Sequence, residues 1–244
     1  METAVILQAR LDSRRLAGKA LLPLAGKPVV QRVMEALKAV HADEYVLACP
    51  EEPPLFIHGI PGRSTSEKEF ASLAEACGFR LITGSKDDVL ARYCSAIRAI
   101  GFDTKPDARI IRATGDNPFV FADAANAINA EAAARNVDYA AYTGLPYGTG
   151  VESVAVRALL RSETEAKTAY EREHVCPYIY GHPELFTLYR PAAPAIWHKP
   201  ELRLTIDTQP DYEKALEYAG RLKRFWDEGM NGGEVIAAVL PTAV

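Results

Sequence analysis

Short apolar runs alternate with helical patterns through the first half of the chain, and that alternation leaves few folds open. Residues 4–7 form a continuous apolar run with β-branched members and read as a buried strand. Residues 45–49, 79–83 and 108–113 read the same way. Between these runs, Val30, Val33, Met34, Leu37 and Val40 fall at helical spacing, as do Phe70, Leu73 and Ala74, and then Val89, Leu90, Tyr93, Ile97 and Ile100. An alanine-rich helix follows Pro118. Strand and helix alternating in this order predict a mostly parallel sheet covered by helices on both faces. Residues 50–66, rich in Pro and Gly, read as an irregular loop.

The second half is less regular. Strands are predicted at 137–142 and 151–156, separated by the turn-rich residues 144–150. Two helical segments, further strands at 185–189 and 202–206, and two final helices carrying Tyr212, Ala215, Leu216, Ala219 and Leu222, then Val235 to Leu240, complete the pattern. No internal repeat, low-complexity tract or polar linker divides the 244 residues, so the expectation is one α/β domain over 1–244.

Composition narrows the function. Hydrophobic residues make up 48% and charged residues 25%, as in an ordinary globular protein, which sets aside disorder, collagen and coiled coil. Lys plus Arg number 28 against 32 Asp plus Glu, so the chain lacks the basic excess of a protein that grips a nucleic-acid backbone. Any phosphate is then held locally. The four cysteines, Cys49, Cys77, Cys94 and Cys176, have neither Cys-x-x-Cys spacing nor a Cys/His cluster, and read as small apolar residues in a reducing compartment. The N-terminus lacks the features of a signal peptide, and no apolar run is long enough to span a bilayer. A cytoplasmic protein with no nucleic-acid or membrane partner is expected.

Three constellations could carry chemistry. After the first strand, Gln8-Ala9-Arg10-Leu11-Asp12-Ser13-Arg14-Arg15-Leu16-Ala17-Gly18-Lys19 holds four cations in ten residues. Loops at the carboxyl ends of parallel strands bind ligands, and cations there suit a polyphosphate. The segment is neither a dinucleotide fingerprint nor a P-loop, and by itself fits a solvated basic loop equally well. Next, Arg112-Ala113-Thr114-Gly115-Asp116-Asn117-Pro118 closes a strand with a turn. Asp116 there is either a Mg²⁺ ligand or a turn-capping residue. Finally, Arg203 and Thr205 alternate with Leu202, Leu204 and Ile206 before Asp207, with Thr208 or Asp211 able to cap the following helix. Asp207 could supply a second Mg²⁺ carboxylate.

Together these segments resemble one family. Leu7-Gln8-Ala9-Arg10 through Arg15 and Gly18-Lys19, then Leu24-x-Gly26-Lys27-Pro28, is similar to the opening of nucleoside-triphosphate transferases of the cytidylyltransferase type, in particular the spore-coat polysaccharide branch. Further matches follow in order: Gly84-Ser85-x-Asp87-Asp88-Val89-Leu90-x-Arg92, Gly115-Asp116-x-Pro118, Arg172-Glu173-His174-Val175-x-Pro177-Tyr178-Ile179, and Leu204-Thr205-Ile206-Asp207-Thr208-x-x-Asp211-Tyr212. They spread over about residues 4–215. The chain departs from the family pattern at Asp12, Arg14 and Ala17, which stand where small, hydroxyl and proline residues are usual, and through residues 50–66.

The resemblance implies a three-layer α/β/α Rossmann-like nucleotidyltransferase fold with a mostly parallel mixed sheet. It implies CTP as nucleotide and Mg²⁺ as metal, with Asp116 and Asp207 as its ligands. Arg10, Ser13, Arg15 and Lys19 would hold the triphosphate, with Lys19 and Arg15 stabilising charge on the leaving pyrophosphate. The backbone near Leu7 and Ala9, together with Asp88, Arg92 and Thr114, would lie on the nucleotide. The nucleotide site would come mainly from residues 4–120; the acceptor site and dimer elements would come mainly from 137–215. Glu152, Arg172, Glu173 and His174 are the polar acceptor candidates, with Tyr142, Tyr147 and Tyr178 as further lining. The other histidines, His41, His58, His182 and His198, have no spacing that favours function.

The reaction so implied moves CMP from CTP to an acidic sugar or a small phosphate or phosphonate acceptor and releases pyrophosphate, in a homodimer that activates a precursor for surface glycan. Rival readings are a nucleotidyltransferase for another base, a glycosyltransferase of related fold, and a nucleotide sensor. The Asp116-Asn117-Pro118 segment lacks the Asp-x-Asp of the second, and Lys19, Asp116 and Asp207 are all retained, which counts against the third.

Overall fold

The strand at the centre of the molecule, β1 (Thr3–Gln8), shows why the sheet is covered on both sides. Its alternate side chains enter two separate cores: Val5 and Leu7 pack into one, Ala4 and Ile6 into the other, and all four are fully buried. A strand buried on both faces must be apolar throughout rather than alternating, as residues 4–7 are. The computed structural model describes residues 1–13, 15–51, 55–57, 60–62, 65–222, 226 and 231–240.

After β1 the chain runs through a 3₁₀ turn at Lys19–Leu21 and a short ribbon of β2 (Pro23–Leu24) and β3 (Lys27–Pro28) into α1 (Val29–Leu37) and β4 (Glu44–Pro50). A second ribbon pairs β5 (Leu55–Ile57) with β6 (Ile60–Gly62) before α2 (Thr65–Ala76), β7 (Arg80–Gly84), α3 (Val89–Ala99), β8 (Arg109–Thr114) and α4 (Ala122–Ala134). The second half comprises β9 (Tyr139–Ala140), β10 (Glu152–Ala155), α5 (Val156–Glu165), α6 (Ala169–His174), α7 (Pro177–Gly181), β11 (Leu188–Tyr189), α8 (Gln209–Arg221) and α9 (Gly232–Val239).

Seven strands form the main sheet in the order β11-β9-β10-β8-β1-β4-β7. The first-half strands β8, β1, β4 and β7 are all parallel, while β10 runs antiparallel to both of its neighbours. Helices α1, α2, α4, α8 and α9 pack on the face of Val5 and Leu7, and α3, α5 and α7 on the face of Ala4 and Ile6. The fold is therefore the expected three-layer α/β/α arrangement with a mostly parallel mixed sheet.

Several second-half expectations need correction. Residues 202–206 are no strand of the main sheet; Arg203 makes an isolated bridge with Tyr147. Leu204 N–H donates to Tyr147 C=O at 2.8 Å and Ile206 N–H to Asp116 C=O at 2.9 Å, so the segment's donors go to two loops. The strand expected at 185–189 shortens to Leu188–Tyr189, because Leu185 and Phe186 N–H both turn back to the His182 carbonyl. That at 137–142 shortens to Tyr139–Ala140, since Thr143 leaves the ladder to pair with the segment at Ala192. Three helices, not two, fill residues 156–181. The break between α6 and α7 is a tight turn in which Val175 has φ 74 and ψ −58, and Cys176 N–H donates to the His174 carbonyl at 2.9 Å. A β-branched residue rarely takes that conformation, and holding it costs on the order of 1–3 kcal/mol. Within 50–66, β5 and β6 pair where a loop was expected; 52–54, 58–59 and 63–64 lie outside the described residues, as does Arg14.

Among the described residues, no helix is long and apolar enough to cross a membrane. Cys49, Cys94 and Cys176 are buried as expected, and Cys77 is half-buried.

Candidate active site

The carboxyl ends of β1 and β8 open onto a cleft of about 1670 Å³ that extends across β10 to α6. Gly115 lets the two strand ends approach: its N–H donates to the Gln8 carbonyl at 2.8 Å, and a Cβ there would stand 2.9 Å from the Ala9 Cβ. Only glycine fits so close a crossing. Asp116 follows directly and lines the cleft.

Asp207 reaches the same point from far along the chain. Gly148, at φ +97, makes room for the segment that carries it, since a Cβ there would lie 2.6 Å from the Thr205 nitrogen. Thr208 then caps α8, accepting from Asp211 N–H, while the Asp211 carboxylate accepts from Thr208 N–H at 3.0 Å and Asp207 N–H at 3.1 Å. Caps of this kind contribute about 1 kcal/mol and fix where the helix begins, hence where Asp207 points.

The two carboxylates share one cation. The Lys19 ammonium donates to Asp116 Oδ2 at 2.7 Å and to Asp207 Oδ1 at 2.9 Å. Lys19 is placed by the loop before it, which closes where Gly18 N–H donates to the Leu11 carbonyl. Arg15 adds a contact to Asp207 Oδ1 at 3.0 Å, and Arg203 donates to Asp207 Oδ2 at 2.9 Å and to both oxygens of Asp211. Burial opposes the charge on Asp207, but Lys19, Arg15 and Arg203 outweigh it and hold the carboxyl below its ordinary pKa. Residues 188 positions apart thus meet in one charge cluster.

The other candidates divide. Ala9, Arg10, Ser13, Asp88, Arg92 and Thr114 line the same cleft. Leu7 does not: its side chain is fully buried in the core, and the lining begins at Gln8. Arg10 is exposed and stands loosely, at 3.9 Å, from Asp12 and from Glu173. Asp88 caps α3 through Ala91 N–H, and its other oxygen accepts from Arg172 at 2.6 Å. Arg172 also donates to the carbonyls of Glu163 and Ala166. The pair therefore clamps α3 to α6, so Arg172 meets a protein carboxylate rather than standing open.

Of the other residues expected at the acceptor, Glu152, Glu173 and His174 all line the cleft. Glu152 pairs with Arg112, its partner in the β8–β10 register, and accepts from Tyr139 Oη at 2.7 Å. Exposed His174 lies against the Tyr170 ring, 4.6 Å between centroids. Tyr142 and Tyr147 line the cleft, whereas Tyr178 turns away to donate to Glu165. Tyr170 and Tyr180 take places that sequence reasoning missed. It also missed Arg112 and Lys86; nothing in local spacing marks them, although Arg112 shares a strand face with Thr114.

A parallel sheet with a cation-and-carboxylate cluster at its carboxyl edge defines a nucleotide-handling enzyme of Rossmann-like build. Comparison with known proteins specifies which. The family model for cytidylyltransferases matches residues 4–231, and the chain belongs to the cytidylyltransferase family. It is 35% identical over 218 residues to the spore coat polysaccharide biosynthesis protein SpsF of Bacillus subtilis, covering 85% of this chain and 82% of that protein. A 3-deoxy-manno-octulosonate cytidylyltransferase of Coxiella burnetii is 35% identical over 126 residues, 51% of this chain and 43% of the relative. The solved structure of a cytidylyltransferase from Leptospira borgpetersenii superposes with a TM-score of 0.81 at 22% identity, covering 100% of this chain and 99% of that one, and shares the fold.

Proposed function

We propose that the protein transfers CMP from CTP to an acidic sugar or a small phosphate or phosphonate acceptor, releasing pyrophosphate, in a reaction that depends on Mg²⁺. The observation that carries this reading is the convergence of Lys19, Asp116 and Asp207 in the lining of a cleft of about 1670 Å³. The similarity to relatives named for spore coat polysaccharide synthesis and for a sugar-acid cytidylyltransferase supports the acceptor class.

The donor set fits a hard divalent cation. Asp116 and Asp207 present carboxylate oxygens around a single point, and the described residues hold no cluster of three or more His, Cys, Asp or Glu that would make a site of protein ligands alone. Mg²⁺ in nucleotide sites takes one or two carboxylates and completes its shell with phosphate oxygens and water. Bound there, the ion supplies charge neutralisation between phosphate oxygens that would otherwise repel the acceptor.

Everything else falls to the chain. Arg10, Ser13, Arg15 and Lys19 hold the triphosphate. In the transfer, an acceptor oxygen attacks the α-phosphorus in line; the new oxygen–phosphorus bond forms as the bond to the β-phosphate bridging oxygen breaks, and its electrons leave on pyrophosphate. Lys19 and Arg15 stabilise that leaving charge. Leu7, through its backbone, and Ala9, Asp88, Arg92 and Thr114 set the nucleoside side of the cleft. Glu152, Arg172, Glu173 and His174 set the acceptor side, with Arg172 acting through its clamp on Asp88. An acceptor that is already anionic needs no strong base, so positioning carries most of the rate. The working form is a homodimer, which light scattering of the purified protein would show at twice the chain mass.

The direct test is pyrophosphate release with Mg²⁺ and each of CTP, ATP, GTP and UTP, across acidic sugars, phosphorylated alcohols and aminoalkyl phosphonates. CTP-dependent release with one acceptor class is the expected result. Release that follows another nucleotide, or no nucleotide binding at all, would overturn the reading.

A further inference from the structure

Most cations lining the cleft are already matched. Arg15 and Lys19 meet Asp207, Lys86 meets Asp12 at 2.7 Å, and Arg172 meets Asp88. Two arginines are not fully matched. Among the described residues, the only buried side-chain nitrogen or oxygen atoms without a hydrogen-bond partner are Nε of Arg92 and Nε of Arg112, and both arginines line this one cleft. A buried, unpaired N–H costs about 1–3 kcal/mol, so natural proteins leave few of them. Arg109, on the same strand as Arg112, shows the contrast: its Nε, Nη1 and Nη2 donate to Ser153 Oγ, the Val137 carbonyl and the Ser153 carbonyl.

Arg92 belongs to the nucleotide half. Arg112 has no role so far. It stands on the border between β8 and β10, with Glu152 and Tyr139 on the second-half side. Its guanidinium is covered unevenly. Glu152 takes Nη1. The side edge, formed by Nε and Nη2, has only the neutral Gln8 Oε1, 3.2 Å from Nη2. Burial works against the charge, but Glu152 outweighs it and keeps the guanidinium protonated.

We infer that the Nε–Nη2 edge of Arg112 anchors a carboxylate of the acceptor through two side-on hydrogen bonds, with the Gln8 amide giving way, and that Arg112 thereby sets specificity for acids. This rests on the proposed transfer reaction. A planar carboxylate matches the donor spacing of a guanidinium edge, which an ammonium cannot reproduce. An acceptor without the acid leaves the N–H buried and unpaired, and sites of that kind discriminate strongly. Glu152 is then a positioning residue: it is held by the Tyr139 hydroxyl and, by taking Nη1, leaves the Nε–Nη2 edge to Gln8, which lines the cleft. Gln8, at the head of the nucleotide loop, lies between the two substrates.

The test reads the Nε–H signal of Arg112 by NMR in the isotope-labelled protein with CTP and Mg²⁺, the signal being assigned by its loss in Arg112→Lys. Glucuronate and 3-deoxy-manno-octulosonate are the probes, and methyl glucoside is the neutral control. The signal should move with at least one acid and stay still with the neutral sugar. Arg112→Lys should raise the KM for the acid at least tenfold while CTP affinity stays within twofold. A signal unmoved by both acids, or an acid KM within twofold of the unmutated protein, overturns the assignment. Calorimetry of CTP binding in the same sample separates the two levels. If CTP binds and the signal stays still, the anchor alone fails; if CTP does not bind, the transfer reading fails with it. Because the NMR measurement uses the unmutated protein, poor folding of a variant cannot decide the matter.

Discussion

In the proposed reaction Lys19 is the central side chain, because one ammonium meets both carboxylates and is itself largely buried. Lys19→Ala and Asp116→Asn should each lower turnover by at least a hundredfold, with the far-ultraviolet circular dichroism and unfolding midpoint of the parent nearly retained. Near-normal turnover in either variant would remove these residues from the site. The charge cluster was legible in the sequence only as three separate motifs, each with an ordinary alternative: a solvated loop, a turn cap and a helix cap. Those alternatives are partly real. Thr208 and Asp211 do cap α8, and the Asp211 carboxylate also holds Arg203, so a residue can serve the backbone and the charge cluster together. Arg172 is expected from the resemblance as an acceptor residue, but its pairing with Asp88, 84 positions away, has no local signal.

At the scale of elements, the parallel half was read closely because a doubly buried strand is apolar throughout and its helices are strongly periodic. The antiparallel half was read too long. Its strands are two to four residues, and side chains reinforce the short ladders at their edges. Asp138 is the clearest case: it accepts from Thr187 N–H at 2.9 Å, from Thr187 Oγ1 at 2.8 Å and from Arg157 at 2.7 Å, joining the start of β9 to the approach of β11. Burial raises the pKa of this carboxyl, but those partners outweigh it and hold it below the ordinary value of 3.8. A depressed folded-state pKa adds stability above the unfolded value, which is lost as pH falls through the folded one. Asp138→Asn should therefore cost about 1–3 kcal/mol in urea unfolding at pH 7, on the scale of lost charged hydrogen bonds. The cost should shrink in acid, as pH falls below the ordinary 3.8 and through the lower folded value, where the parent carboxyl also becomes neutral. An equal cost at both pH values would mean the charge is idle.

On the scale of the whole molecule, the fold brings the first and last thirds of the chain to one edge of a single sheet, and no reading of local pattern could supply that closure. The family resemblance supplied it, by placing five ordered motifs in one architecture. The meeting of Lys19 and Arg15 with Asp116 and Asp207 then has a thermodynamic consequence. The groups proposed for phosphate and those proposed for metal neutralise one another, so whichever ligand arrives first must break contacts that the second would also have to break. Linkage makes the benefit mutual: each raises affinity for the other by the same factor. Lys19→Ala, although expected to be impaired in turnover, should for that reason bind Mn²⁺ more tightly than the parent when no nucleotide is present. Paramagnetic titration would show a fall in the Mn²⁺ dissociation constant, and an unchanged or higher constant would mean that the ammonium and the metal do not compete for the same oxygens.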